Sequence, residues 1–249
     1  MNLFKDIWET NKEIIPKAYR LLLKNWPILF TGIVYSIILI LLWRVAFMFW
    51  ILAGLVITLV QSAIISNYLY LIENIIRYQR ITMEDFKAGF TVYIWKIYGI
   101  MIVIWFANYG ASLFLSPLFN IRLGTVSLWF LVKVAAFLLL NSLPEVIYQK
   151  HFYIGETFRY SFEFIKENWI DWYIPNVVLG LLFYIVMGDI RTPDLLLRNR
   201  MFSFASSGIL PYLVGQLLLA YLMIYRGLLF EILSGTSRRK RMFMRNQYR

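Results

Sequence analysis

Three carboxylates stand near the ends of apolar runs, Glu73, Glu145 and Glu231, the second 72 residues after the first and the third 86 after the second. An ionisable group at membrane depth loses solvation, and such groups often mark an ion or substrate path. Three helices meeting at these acids would make one ring. Ordinary helix-end pairing is the other reading, since Glu73 has Arg77 four residues on and Glu231 lies five from Arg226. Deeper in the runs stand Gln61, Asn67, Asn108, Lys133, Asn141 and Gln216. Amides there tie helices together through hydrogen bonds of about 0.6 kcal/mol each. Lys133, about 10 Å into its helix at 1.5 Å per residue, is expected to snorkel, to pair with Asp189 or to touch a substrate. Asn67, Asn108, Lys133, Asn141, Glu73, Glu145 and Glu231 are therefore the candidate polar pathway.

Other chemistry finds little footing. The single histidine, His151, has no nucleophile elbow or metal-ligand spacing beside it. There is no cysteine, and no Gly-Lys-Ser or Gly-Lys-Thr phosphate loop. Glu84, Asp85, Glu163 and Glu167 sit among basic neighbours and read as solvated faces. The expectation is a protein that is not an enzyme and has no cofactor or metal.

The elements that must position the polar residues are set by hydropathy. With 60% hydrophobic residues and a mean hydropathy of +0.64 over 249 residues, the chain reads as an integral membrane protein with one domain and nothing left for a soluble one. The net charge of +11 is a topology signal rather than a nucleic-acid footprint. Eighteen of 25 Lys and Arg fall in 1–25, 77–96, 149–170 and 238–249, which puts both termini and the two long loops on the cytoplasmic side of the cell membrane.

A pattern repeats along the chain. Glu156, Phe158, Ser161, Phe162, Ile165 and Trp169 match Glu84, Phe86, Gly89, Phe90, Tyr93 and Ile97, and match Glu13, Ile15, Ala18, Tyr19, Leu22 and Trp26. In each set a Glu opens an amphipathic helical stripe with a small residue beside it, and an apolar run follows. The fold class expected is all-α, with six transmembrane helices as three pseudo-repeats of cytoplasmic interfacial helix plus hairpin. The units run about 13–80, 84–150 and 156–233, with a basic tail at 234–249 that binds anionic head groups.

In the first surface helix Ile14, Ile15, Ala18, Tyr19, Leu21 and Leu22 are expected to face lipid, with a bend at Pro16. Spans are expected at about Trp26–Trp43, Val45–Ile76, Ile97–Leu118, Val126–Tyr148, Trp172–Met187 and Ile209–Leu233. Arg44 would mark a tight first turn, Thr82 an N-cap for the second surface helix at 81–96, and 188–207 an interfacial helix.

The run Gly155-Glu-Thr-Phe-Arg-Tyr-Ser-Phe162 followed by Lys166-Glu-Asn-Trp169, with Glu84 to Phe90 and Lys24-Asn25-Trp26 as further copies, resembles a set of bacterial six-helix membrane proteins. That set includes the membrane domain attached to some glycerophosphodiester phosphodiesterases. The resemblance implies a fold and a loose association with envelope lipid or transport. Phosphodiesterase chemistry does not transfer, because the catalytic barrel and its metal-binding residues are missing from this chain.

The function expected is the handling of a hydrophobic or lipid-like substrate, or support of a membrane transport complex. Alternatives are the permease subunit of an ATP-driven transporter with a separate ATPase, and a structural scaffold. Membrane lipids and a cytoplasmic protein are the partners expected, with docking through Glu84, Asp85, Gly89, Glu156 and Ser161. Nucleic acid is not.

Overall fold

The computed structural model describes residues 3–114, 122–123, 126–187 and 209–236. They are helical apart from short connections and a two-residue antiparallel ladder between Arg122–Leu123 and Val126–Ser127. The helices are α1 (Leu3–Lys24), α2 (Ile28–Ala46), α3 (Ala53–Tyr78), α4 (Met83–Val92), α5 (Ile94–Phe114), α6 (Leu128–Leu139), α7 (Leu143–Gln149), α8 (Ile154–Met187) and α9 (Ile209–Gly235). Five segments are long and apolar enough to cross a membrane: α2, α3, α5, Leu128–Gln149 and Tyr212–Gly235. This is a helical membrane protein. The expected span at Trp172–Met187 is the second half of α8 and lies outside those five.

One end of the bundle, here called the base, carries α1, α4 and the start of α8; the other, the crown, carries the connection at 47–52 and the short ladder of Arg122–Leu123 with Val126–Ser127. At the base α4 lies on α3, α8 on α7 and α9, and α1 on α9. Ile76 of α3, Tyr148 and Gln149 of α7, and Gly227 of α9 converge there. A Cβ on Gly227 would stand 2.3 Å from Ile76 Cδ1 and 2.4 Å from the Tyr148 hydroxyl, so only the missing side chain lets the three helices close up.

Several elements depart from the sequence reading. α1 does not restart at Pro16 but runs as one helix through it. Lys12, whose carbonyl loses its partner to the proline, is exposed, as is Pro16 itself, so solvent can satisfy that group. Nor does the whole apolar stripe of α1 face lipid. Ile14, Ala18, Leu21 and Leu22 are buried in the protein core, while Trp8, Ile15, Tyr19 and Leu23 form a second, exposed apolar stripe. The helix thus has three faces rather than two.

The first crown turn is not at Arg44, which sits in the last turn of α2, but in a 3-10 segment, Phe47–Leu52, where Trp50 takes a positive φ of 43°. The second surface helix is shorter than expected, because Tyr93 ends α4 and Lys96 already belongs to α5. The fourth span is broken at 140–142, where Pro144 at the start of α7 cannot donate back to Leu140. The third surface helix and the following apolar run form one helix, α8, interrupted only at Asn168 (φ −120°, ψ 16°). The 188–207 connection, Asp189 and the tail from 237 onward lie outside the described residues.

Candidate functional site

The break in the fourth span sets up the most heavily charged buried site. Ending α6 at Leu139 leaves the Asn141 carbonyl without a helical partner, and the Arg226 guanidinium of α9 donates to it at 2.6 Å. The same guanidinium grips Glu145 with both ends, Nε to Oε1 at 2.7 Å and Nη2 to Oε2 at 2.9 Å. Arg226 and Glu145 are 1% and 0% exposed, so the pair is wholly out of solvent. Trp172 of α8 closes one side, its ring 5.0 Å from the guanidinium carbon and its indole N–H donating to Asn141 Oδ1 at 3.0 Å. Three helices thereby meet at one point, α7 and α9 through charge-assisted bonds and α8 through its indole. The planar, fixed fork of Arg suits such bidentate work, and Lys could not replace it.

A second polar lock holds α4 to α3. Ser66 donates to the Gly89 carbonyl at 2.7 Å and accepts from the Tyr93 N–H at 2.8 Å. Asn67 donates to the Phe86 carbonyl and accepts from the Tyr35 hydroxyl of α2. Gly89 is required by the closeness of this crossing, since a Cβ there would lie 3.1 Å from the Asn67 Cα. About two turns below, Glu73 accepts from the Tyr93 hydroxyl and pairs with Arg77 at 3.2 Å. Burial, and then Glu73, push the Tyr93 phenol far above its ordinary range, so it stays a donor. Lys96 caps the end of α7, donating to the carbonyls of Ile147 at 3.2 Å and Lys150 at 3.0 Å.

The candidate pathway residues therefore divide. Asn67, Glu73, Asn141 and Glu145 are buried in the base, each with partners. Glu231 is exposed, so the three acids do not face one another as a ring. Its expected pairing with Arg226 also gives way to the bond with Glu145. Residues five apart on a helix point about 140° apart at 3.6 residues per turn, and Arg226 turns inward. Asn108 and Lys133 stand exposed on α5 and α6; Asn108 donates only to Ile104 of its own helix at 3.0 Å, and the Lys133 ammonium lies 5.6 Å from the Trp129 ring centroid. Asp189, the alternative partner of Lys133, is outside the described residues.

Of the candidate docking residues, Glu84 is exposed, while Asp85 completes a capping box with Thr82. Glu156 is exposed and accepts from the Tyr153 N–H at 3.2 Å. Gly89 is buried against α3, and Ser161 is buried against Ser142, their hydroxyls 2.9 Å apart. Those two are packing positions within the chain. His151 is exposed between α7 and α8. Among the described residues no three His, Cys, Asp or Glu side chains gather as metal ligands would.

Spacing did not reveal Trp172 or the true partner of Arg226. The available signal was cost: Arg226 is one of two basic residues inside the apolar runs, and a buried guanidinium demands a carboxylate.

Comparison with known proteins finds no match: no family model fits the chain, and no curated sequence or solved structure is significantly similar to it. The resemblance drawn from Gly155–Trp169 thus rests on those residues alone.

Proposed function

We propose that this is a non-enzymatic protein of the cell membrane, with six spans and both termini cytoplasmic, that handles a lipid-like substrate. The observation that favours this reading is the contrast between its two ends. The base is packed solid, whereas no residue of α6 is buried and α5 buries only Ile97 and Ile100, both near the base. These two legs of one hairpin lie against other helices, α5 on α3 and α6 on α8, rather than along one another. Acyl chains fit between such legs; a watery solute would not wet them.

Three repeated units are part of the same reading. Asn25 and Asn168, equivalent in the first and third copies, each donate to the carbonyl four residues back, at 2.9 and 3.1 Å, where the surface helix gives way to the span. The small residue of each copy, Ala18, Gly89 or Ser161, is buried. Each surface helix lies on the last span of the preceding unit, α4 on α3, α8 on α7, and α1 on α9 as if the first unit followed the third. The cytoplasmic placement of the base follows from its basic residues.

Native mass spectrometry tests the reading. Protein extracted in native membrane discs should keep one or more phospholipids at collision energies that strip annular lipid. Complete loss of lipid at those energies would overturn it.

A second reading, the permease subunit of an ATP-driven transporter, is favoured by α4. That helix is bolted to α3 by Ser66 and Asn67 yet presents Glu84, Lys87, Ala88 and Thr91 outward, as a handle for a cytoplasmic motor would. An ATPase that co-purifies with the intact chain and is lost on a Glu84→Lys, Lys87→Glu double change would establish it.

A further inference from the structure

The second hairpin carries two polar side chains at similar distances from the crown ends of its two legs, and no other helix among the described residues receives them. Lys133 stands five residues from the crown end of α6 and Asn108 six from the crown end of α5, about 7.5 and 9 Å at 1.5 Å per residue. Residues 131–136 are exposed all the way round α6, and 105–109 all the way along that stretch of α5. No described residue therefore covers either leg at this level.

The Lys133 ammonium leans toward the crown and rests on Trp129, four residues nearer that end. A cation over an indole face is attracted by about 0.5–1 kcal/mol at an exposed site. That is far less than a bare ammonium loses on leaving water, so an anion is still wanted. Asn108 spends an amide N–H on Ile104, and its carbonyl oxygen makes no hydrogen bond among the described residues. It can accept from a hydroxyl or ammonium donor. A phospholipid head group offers what the pair lacks, a phosphate for Lys133 and a donor group for Asn108, while its tails match the aliphatic and aromatic surfaces of α5 and α6.

We propose that the crown half of the α5–α6 hairpin is a binding site for an anionic phospholipid of the outer leaflet, with Lys133 on the phosphate and Asn108 on a head-group donor. This rests on the lipid-handling reading and names the lipid class it takes. Charge complementarity decides the occupant: a zwitterionic lipid carries its own cation beside the phosphate and would gain less from Lys133.

Photo-crosslinking in phosphatidylcholine nanodiscs, doped with photoactivatable phosphatidylglycerol or photoactivatable phosphatidylcholine, is the test. Mapping adducts to the 105–135 region separates this site from the basic residues of the base. Phosphatidylglycerol should label the region about fivefold more than phosphatidylcholine, the preference one basic residue near an anionic group supports. Lys133→Arg should keep the preference and Lys133→Gln should lose it, with Asn108→Ala reducing labelling less. Equal labelling by the two lipids, or an unchanged preference in Lys133→Gln, would overturn the site. Either result could occur while the protein still retained lipid in the mass spectrometer, so the two readings fail separately.

Discussion

The base and the crown are built from the same helices on opposite rules. Along α3 nearly every residue from Ser62 to Ile75 is enclosed, and none from Ala53 to Gln61 is. The fourth span shows the same division across its break: α7 buries Leu143 through Tyr148 and α6 buries nothing. α8 repeats it, with Trp172 fully enclosed and Val177, Val178, Leu181 and Leu182 exposed. The polar bonds between helices follow the packing. Glu145–Arg226, Ser66–Gly89, Asn67–Phe86 and Ser142–Ser161 all tie the base, where closely spaced backbones let short side chains reach across. Where helices diverge, as at Asn108, amides fall back on their own turn. Packing is thus densest at the base, and the crown half is open around α5, α6 and the end of α8, while α2 and α9 stay joined there through Ser36 and Tyr212.

Substitutions can break or sharpen that contrast. The largest effect is expected from Glu145→Gln or Arg226→Gln. Either leaves one charge buried without its partner, at about 3–5 kcal/mol, read as a large fall in Tm for the protein in nanodiscs. A Glu145→Leu, Arg226→Met double change should be milder than either single change, because it removes both charges together. Next comes Gly89→Ala, which sets a methyl against the Asn67 backbone and should cost about 1–3 kcal/mol as α4 is pushed from α3. Tyr35→Phe, which deletes the hydroxyl donor to Asn67, should cost about 1 kcal/mol in the same melt. Leu181→Ala at the crown should shift the melt least, by about 0.5 kcal/mol or less. A crown substitution as damaging as Gly89→Ala would erase the distinction between the halves.

Most helices were readable from the sequence because their signals are local. Apolar runs bounded by basic clusters placed five membrane-length helices, and Thr82 with Asp85 announced the start of α4. Features set by distant partners were not readable. Glu145 and Arg226 lie 81 residues apart, and although a five-residue spacing sets Arg226 and Glu231 on different faces of one helix, nothing in it names Glu145 as the partner. The first crown turn was misplaced because Phe47–Leu52, FMFWIL, is as apolar as the spans it joins and carries no turn residue. Pro144 was a visible warning of the break at 140–142. What it could not show is that the freed Asn141 carbonyl would be met by a guanidinium from another helix. The two exposed acids and the buried Gly89 and Ser161 make the same point in reverse: small and acidic residues at helical spacing suit a docking surface and an internal seam equally well.

The seat of α1 on α9 has a consequence for how the protein is made. Asn11 accepts the Tyr225 hydroxyl across 214 residues of chain, so α1 must wait until α9 has been made before its permanent face is covered. In that interval Ile14, Ala18, Leu21 and Leu22 have only bilayer to shelter them, and the charges of Lys17, Arg20 and Lys24 hold the segment at the lipid surface. Chains stalled before α9 would leave that seam of α1 open.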